Sequence, residues 1–361
     1  MRVMQLIESL EFGGAEKVVI DLANELATRH DVSICCIKRL GPLATDVDRR
    51  IQVHCLHKGE GNDFFLAFRL ARLLRKHRIE VMHVHNWGAF LECALAALLA
   101  RTRVRIHSVH GPYPHYGADW RSRTKLAARH FLERMFATGF TKIVTVSDSI
   151  QAYLRDDIRV AASRITTIHN GIRIATPVVP RPAGGMVSCI TVGRLARIKN
   201  HDMMIRAFHE AGLHGARLYL IGDGPEREKL ALLVEELGIA DRVEFCGFRH
   251  DIAEQLARND IFLMSSDYEG ISIAVLEAMR ASLPIIGTLV GGMAETINDG
   301  DNGILVPPRN VAAMAAALSK LAQSPAERQR MGQSGRRYLE AEFSIVTMVR
   351  RYEQLYTGEA A

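Results

Sequence analysis

The chain has 361 residues, 48% of them hydrophobic and 24% charged, an ordinary globular composition with enough length for two hydrophobic cores. No apolar run approaches the roughly 20 residues of a membrane-spanning helix, and six cysteines without a Cys-x-x-Cys spacing (Cys35, Cys36, Cys55, Cys93, Cys189, Cys246) read as reduced thiols inside apolar runs, so a cytoplasmic protein is expected. A net charge of +6 and a pI of about 9.1 raise nucleic-acid binding, but no recognised binding motif supports it.

Residues 1–7 carry one positive charge and a short alternating run before Glu8, which makes them a first strand rather than a secretory signal. From there β-type runs near Val3, Val32, Val53, Val81, Val104 and Ile143 alternate with amphipathic helices starting near Ala15, Phe64, Gly88, Arg121 and Asp148. Such alternation predicts a parallel sheet with helices on both faces. Gly13 and Gly14 follow the first strand and open the first helix, where glycine lets backbone approach a ligand and the helix end favours negative charge. The full dinucleotide fingerprint is missing, which argues against a dehydrogenase.

His83 and His85 point the same way along a strand, and with no carboxylate or cysteine nearby to complete a zinc site they read as structural. His110 ends the strand from Val104 to Val109 and falls at the sheet edge where α/β proteins bind ligands. Arg101, Arg103, Arg105, Arg121, Arg123, Lys125, Arg129 and Arg134 lie in one region with Tyr113, Tyr116 and Trp120. This region is either a solvated helix face or a surface for an anionic lipid leaflet. Ser147 and the Asn170-Gly171 pair also sit at edges, as caps, turns or ligand contacts.

Residues 175–185, rich in Pro and Gly, read as an interdomain linker. Alternation then restarts with residues 187–192 and runs through strands near Leu218, Val243, Ile261, Ile285 and Ile304. Past the first of these strands, Arg194 offers a forked donor for phosphate and Lys199 a compact charge. Together they suit a departing diphosphate without a metal. Gly222 to Pro225 ends the next strand, with Pro225 expected at a first helical position. After the strand from Asp260 comes Glu269, then Gly270 and a helix with Ser272 as N-cap, and then Glu277. The N–H groups of Ile271, Ser272 and Ile273 would form an anion-binding end between two carboxylates, each able to accept from a polyol. The pattern suits a sugar joined through diphosphate to a ribose.

In order, Gly13-Gly14-Ala15-Glu16, Gly193-Arg194 with Lys199-Asn200, Gly222 to Pro225, Phe245 to Phe248, Glu269-x7-Glu277 and Gly291-Gly292 with Glu295 resemble the motifs of retaining glycosyltransferases of the GT4 type. The resemblance covers most of the chain and is strongest in its second half. It implies the GT-B fold: α/β, with two Rossmann-like domains and a cleft between them. Residues 1–172 would bind acceptor, 173–185 would link, 186–340 would bind the nucleotide sugar, and the helix within 341–361 would cross back to the first domain. It further implies that Gly14 lies near donor phosphate and acceptor, and that His110 hydrogen-bonds the donor sugar. Gly222 would line the nucleotide side, Gly247 and Phe248 would contact the base, Glu269 would hold sugar hydroxyls and Glu277 the ribose. Arg194, Lys199 and the helix end at Gly270 to Ile273 would stabilise the leaving diphosphate. The catalytic set is then His110, Arg194, Lys199 and Glu269, without a metal or other cofactor. The favoured family mechanism is front-face attack, in which the leaving phosphate helps deprotonate the acceptor hydroxyl. The expected partners are a nucleoside-diphosphate sugar, a glycan or lipid-linked acceptor and an anionic membrane surface, with no nucleic acid. The competing readings are a sugar-nucleotide 2-epimerase on the same architecture and a catalytically idle binding protein.

Overall fold

The computed structural model describes residues 1–60, 63, 65–86, 90–111, 120–174 and 186–359, with the side chains of residues 120–125 outside that description. Tyr113, Tyr116, the side chains of Trp120, Arg121, Arg123 and Lys125, the helix starts expected at Phe64 and Gly88, and most of the linker therefore lie outside the described residues.

The chain divides into two compact units, Met1–Asn170 with Ile345–Ala361, and Gly171–Ser344. The first unit contains, in order, β1 (Arg2–Ser9), α1 (Gly14–Leu26), β2 (Asp31–Arg39), β3 (Gln52–Cys55), α2 (Leu66–Lys76), β4 (Val81–His85), α3 (Phe90–Ala100), β5 (Val104–Val109), α4 (Trp120–Ala137), β6 (Lys142–Thr145), α5 (Asp148–Asp156) and β7 (Ile165–Thr167). Its seven strands are parallel in the order β3-β2-β1-β4-β5-β6-β7. The interior of β2 and all of β4 are buried, as expected of central strands covered on both faces by helices. One core lies beneath α2 and α3, built on Met4, Leu6, Leu70, Val84 and Phe140. Another lies beneath α5, around Ile143, Ile150 and Leu154. Ser147 caps α5, its Oγ accepting from the Ile150 N–H at 3.3 Å.

The second unit contains β8 (Ser188–Val192), α6 (His201–Glu210), β9 (Arg217–Ile221), α7 (Arg227–Glu236), β10 (Val243–Gly247), α8 (Ile252–Ala257), β11 (Ile261–Met264), α9 (Ile273–Arg280), β12 (Ile285–Thr288), α10 (Met293–Thr296), β13 (Gly303–Val306), α11 (Val311–Gln323) and α12 (Pro325–Glu342). Six parallel strands run β10-β9-β8-β11-β12-β13 over a core that includes Phe208, Leu218, Leu263 and Leu318. Pro225 does not open α7: it lies in the turn before Glu226, held there because the Glu226 N–H donates to the Leu195 carbonyl at 3.0 Å.

The last helix, α13 (Ile345–Thr357), returns to the first unit. It buries Met348, Val349, Tyr352 and Tyr356. Among the described residues of the first unit seven strands stand where six were expected, because the short run Ile165–Thr167 pairs with β6. No helix among the described residues is long and apolar enough to cross a membrane. All six cysteines are free.

Candidate active site

In an open parallel sheet the loops leaving two neighbouring strands part where the strand order reverses, and a crevice opens at their carboxyl ends. In the second unit that reversal falls between β8 and β11. The loop after β8 carries Arg194 and Lys199; the loop after β11 carries Glu269. The structure ties them together across the reversal. The Asp267 N–H donates to the Ile198 carbonyl at 2.8 Å and Ser265 Oγ to the Lys199 carbonyl at 2.9 Å. Lys199 Nζ forms an ion pair with Glu269 Oε1, which also accepts from Ser266 Oγ at 2.6 Å.

Glu269 is only 9% exposed and Glu277 only 5%, so neither is a solvated helix charge. Residues 269–273 form a buried run into α9. Ser272 stands at its N-cap position, yet its side chain makes no cap hydrogen bond. A helix start presents N–H groups to which an anionic ligand can bind. Glu277 lies one turn on, with Oε1 3.9 Å from the Arg280 guanidinium. Arg194 is exposed and has no side-chain partner among the described residues.

Two glycines let the loops close on one another. Gly291 has φ +48°, and a Cβ there would stand 1.9 Å from the Glu269 carbonyl oxygen, while the neighbouring Gly292 N–H donates to that oxygen at 2.9 Å. Gly222 has φ +128°, and a Cβ would stand 2.0 Å from the Gly193 carbonyl oxygen. The Gly222 N–H donates to the Gly247 carbonyl at 2.8 Å, which ties the edges of β9 and β10 together. Phe248, next in line, is more than half exposed.

A separate pocket of 410 Å³ is lined by Arg197, His201, Glu226, Lys229, Asp267 and Arg309, among others. It leaves out Arg194, Glu269 and Glu277. Four of its charges pair within it, Asp267 with Arg309 and Glu226 with Lys229, and we assign it no ligand.

In the first unit, Gly14 is the exposed first residue of α1, and the Glu16 carboxylate folds back over Gly13, where a Cβ would meet Oε2 at 2.1 Å. Burial raises the Glu16 pKa. His110 follows β5 and is joined to His85, with His85 Nδ1 2.9 Å from His110 Nε2. Burial lowers the His110 pKa to about 4, so its ring is neutral at pH 7. Ser266, absent from the sequence reading, is the residue that orients Glu269. A pair of serines at a strand end was its only sequence signal.

A profile for "Glycosyltransferase Family 4" matches residues 12–176 and one for "Glycosyl transferases group 1" matches residues 183–338. The chain is 28% identical over 310 residues to the N-acetyl-alpha-D-glucosaminyl L-malate synthase of Bacillus anthracis, covering 81% of this chain and 78% of that one. It is 26% identical to the lipopolysaccharide core biosynthesis glycosyltransferase LpsD of Rhizobium meliloti, covering 99% and 98%. The crystal structure of Anabaena HepE in complex with UDP and glucose superposes with a TM-score of 0.84 at 20% identity, covering 99% and 100%. Two Rossmann-like parallel sheets with a returning terminal helix define the GT-B class of glycosyltransferases. Within that class, the chain belongs to the family 4 glycosyltransferases.

Proposed function

We propose that this glycosyltransferase moves a sugar, with retention, from a nucleoside-diphosphate donor to a hydroxyl of a glycan or lipid-linked acceptor in cell-surface polysaccharide or glycolipid synthesis. The observation that carries the reading is the Lys199–Glu269 pair at the strand-order reversal, beside the uncapped start of α9. Without donor, the two side chains neutralise one another. An arriving diphosphate competes for Lys199 and joins Arg194 and the N–H groups from Gly270 to Ile273. Glu269 is then released to accept from sugar hydroxyls, and Glu277 takes the ribose. Two cations and a helix end supply the charge stabilisation that a metal would otherwise provide, an effect of several kcal/mol in such sites. Gly222, Gly247 and Phe248 form the nucleotide side. Gly14 and His110 belong to the unit assigned to acceptor, with His110 reaching the transferred sugar. Front-face attack, with the leaving phosphate helping to deprotonate the acceptor hydroxyl, fits a site for which no side chain of the first unit is assigned as nucleophile.

Thermal shift against UDP-, GDP- and ADP-sugars identifies the donor, since a ligand that binds the native state raises the midpoint by mass action. Glu277→Gln should raise the KM for that donor by about tenfold or more, the loss of charge-assisted hydrogen bonds. Unchanged turnover with every donor would remove the reading. Donor breakdown that needs no acceptor and inverts the sugar's second carbon would instead mark an epimerase.

The membrane part of the reading rests on a surface of the first unit. α2 packs on α3 and α3 on α4, and these helices expose Phe65 (73%), Phe68 (59%), Leu95, Leu98, Phe131 (66%) and Met135. Arg72, Arg75, Lys76, Arg101 and Arg134 lie on the same elements or at their ends. Apolar side chains set among cations suit an anionic leaflet, at about 1 kcal/mol per cation near the surface. The chain should co-sediment with phosphatidylglycerol vesicles in low salt, and Phe65→Ser with Phe68→Ser should weaken this at least about tenfold. Equal binding to neutral vesicles would exclude the electrostatic part.

A further inference from the structure

The middle of the first sheet contains a polar chain that an apolar core would not need. Gln5 on β1, His83 and His85 on β4 and Ser108 on β5 are all buried. The strand order places them side by side, Gln5 opposite His83 and His85 opposite Ser108. Tyr352 and Tyr356 of α13 cover them, both buried. His85 Nε2 is 2.7 Å from Gln5 Oε1, and Gln5 Nε2 donates to the Tyr356 hydroxyl at 3.3 Å. That hydroxyl is 2.6 Å from His83 Nδ1, and His83 Nε2 is 2.7 Å from Ser108 Oγ, itself 3.0 Å from the Tyr352 hydroxyl. At the other end, His85 leads to His110, whose Nδ1 is covered and has no hydrogen-bond partner.

A neutral imidazole has one N–H and one lone pair. Burial keeps His83, His85 and His110 neutral. Gln5 Oε1 only accepts, so His85 Nε2 must carry its proton and His85 Nδ1 is the lone pair. His110 Nε2 must then donate to that nitrogen, which leaves His110 Nδ1 as a lone pair. The other branch runs in the same sense: Gln5 Nε2–H donates to the Tyr356 oxygen, Tyr356 O–H donates to His83 Nδ1, and His83 Nε2–H donates to Ser108. Reversing the Gln5 amide would reverse every member, so the orientation of one amide sets the whole chain. Buried polar atoms without partners are rare in native structures, and the one at the end of this chain is an acceptor.

We propose that Gln5 and His85 are positioning residues that fix His110 as its Nε2–H tautomer, so that His110 presents a hydrogen-bond acceptor to a sugar hydroxyl rather than a donor or a cation. The proposal rests on the reading of His110 as a residue that touches the sugar. The family resemblance implies a hydrogen bond from His110 to the sugar without its direction, and the polar chain supplies that direction.

Long-range proton–nitrogen correlation of the full-length, ¹⁵N-histidine-labelled protein, assigned with His110→Ala and His85→Ala, reads the tautomer without turnover. The expected result is His110 protonated at Nε2 and bare at Nδ1; protonation at Nδ1, or an imidazolium at pH 7, overturns the proposal. Gln5→Glu keeps an acceptor toward His85 and should preserve the tautomer and most of kcat. Gln5→Leu removes it and should lower kcat about tenfold while leaving donor KM within about threefold. Equal kcat in the wild type and a folded Gln5→Leu overturns the proposal. His110→Ala tests the underlying reading separately: unchanged kcat and KM would show that His110 does not touch sugar, whatever its tautomer.

Discussion

Five deeply buried histidines among the described residues are held neutral by burial, and their cost appears on the acid side of neutrality. Burial lowers the pKa of His107 to about 3 and of His110 and His201 to about 4, and drives His83 and His85 well below the ordinary 6.5. The unfolded chain takes up these protons near pH 6.5 whereas the folded chain does not. Their stabilising contribution is therefore complete above pH 6.5 and is lost as pH falls toward the folded values. Each group adds a slope of at most about 1.4 kcal/mol per pH unit in that window. Urea unfolding at pH 7.5, 6.5, 5.5 and 5.0 should show a plateau and then a steep fall. A profile flat to pH 5 would mean that the rings are charged or exposed in the folded protein.

At the scale of loops and strands, the site depends on backbones that touch. Gly291→Ala must displace the Glu269 carbonyl and strain a left-handed residue, while leaving every charged side chain of the site in place. It should raise the apparent Kd of the donor at least about tenfold and destabilise the fold by about 1–3 kcal/mol, measured by calorimetry and chemical unfolding. Unchanged donor affinity would separate this glycine from the site. Much of this geometry was legible in the chain. Glycines at the ends of β-type runs marked the ligand edge of both sheets, because only a tight turn there can return into a helix. The Lys199–Glu269 pair was not legible as a pair: seventy residues separate its members, and their meeting depends on β8 and β11 being neighbours. The histidine chain was hidden for the same reason. His83 and His85 read as structural, but their link to Gln5 and Ser108 needs the β1-β4-β5 order. Pro225 was misplaced because a carbonyl from another loop, Leu195, holds the turn that follows it.

For the molecule as a whole, the decisive element is α13. It closes the first unit with Tyr352 and Tyr356 over Gln5, His83 and Ser108, and Glu353 reaches His30 at 2.9 Å. Ending the chain at Ser344 should uncover that face and destabilise the first unit, while a fragment of residues 171–344 keeps its complete six-stranded sheet. Circular dichroism and donor binding by calorimetry on the two truncations check this. Loss of structure in the isolated 171–344 fragment would show that the second unit depends on the first.

The same arrangement constrains how the protein is made. A ribosome releases residues 1–170 long before residues 345–357, which complete their core, because the whole of the second unit lies between them. At ordinary rates of synthesis the interval is roughly ten to forty seconds. During that time a sheet with a polar seam in its middle waits without its lid, while the later unit can already condense. A stop codon just before the one for Ile345 would therefore do more harm to the beginning of the polypeptide than to the stretch beside it.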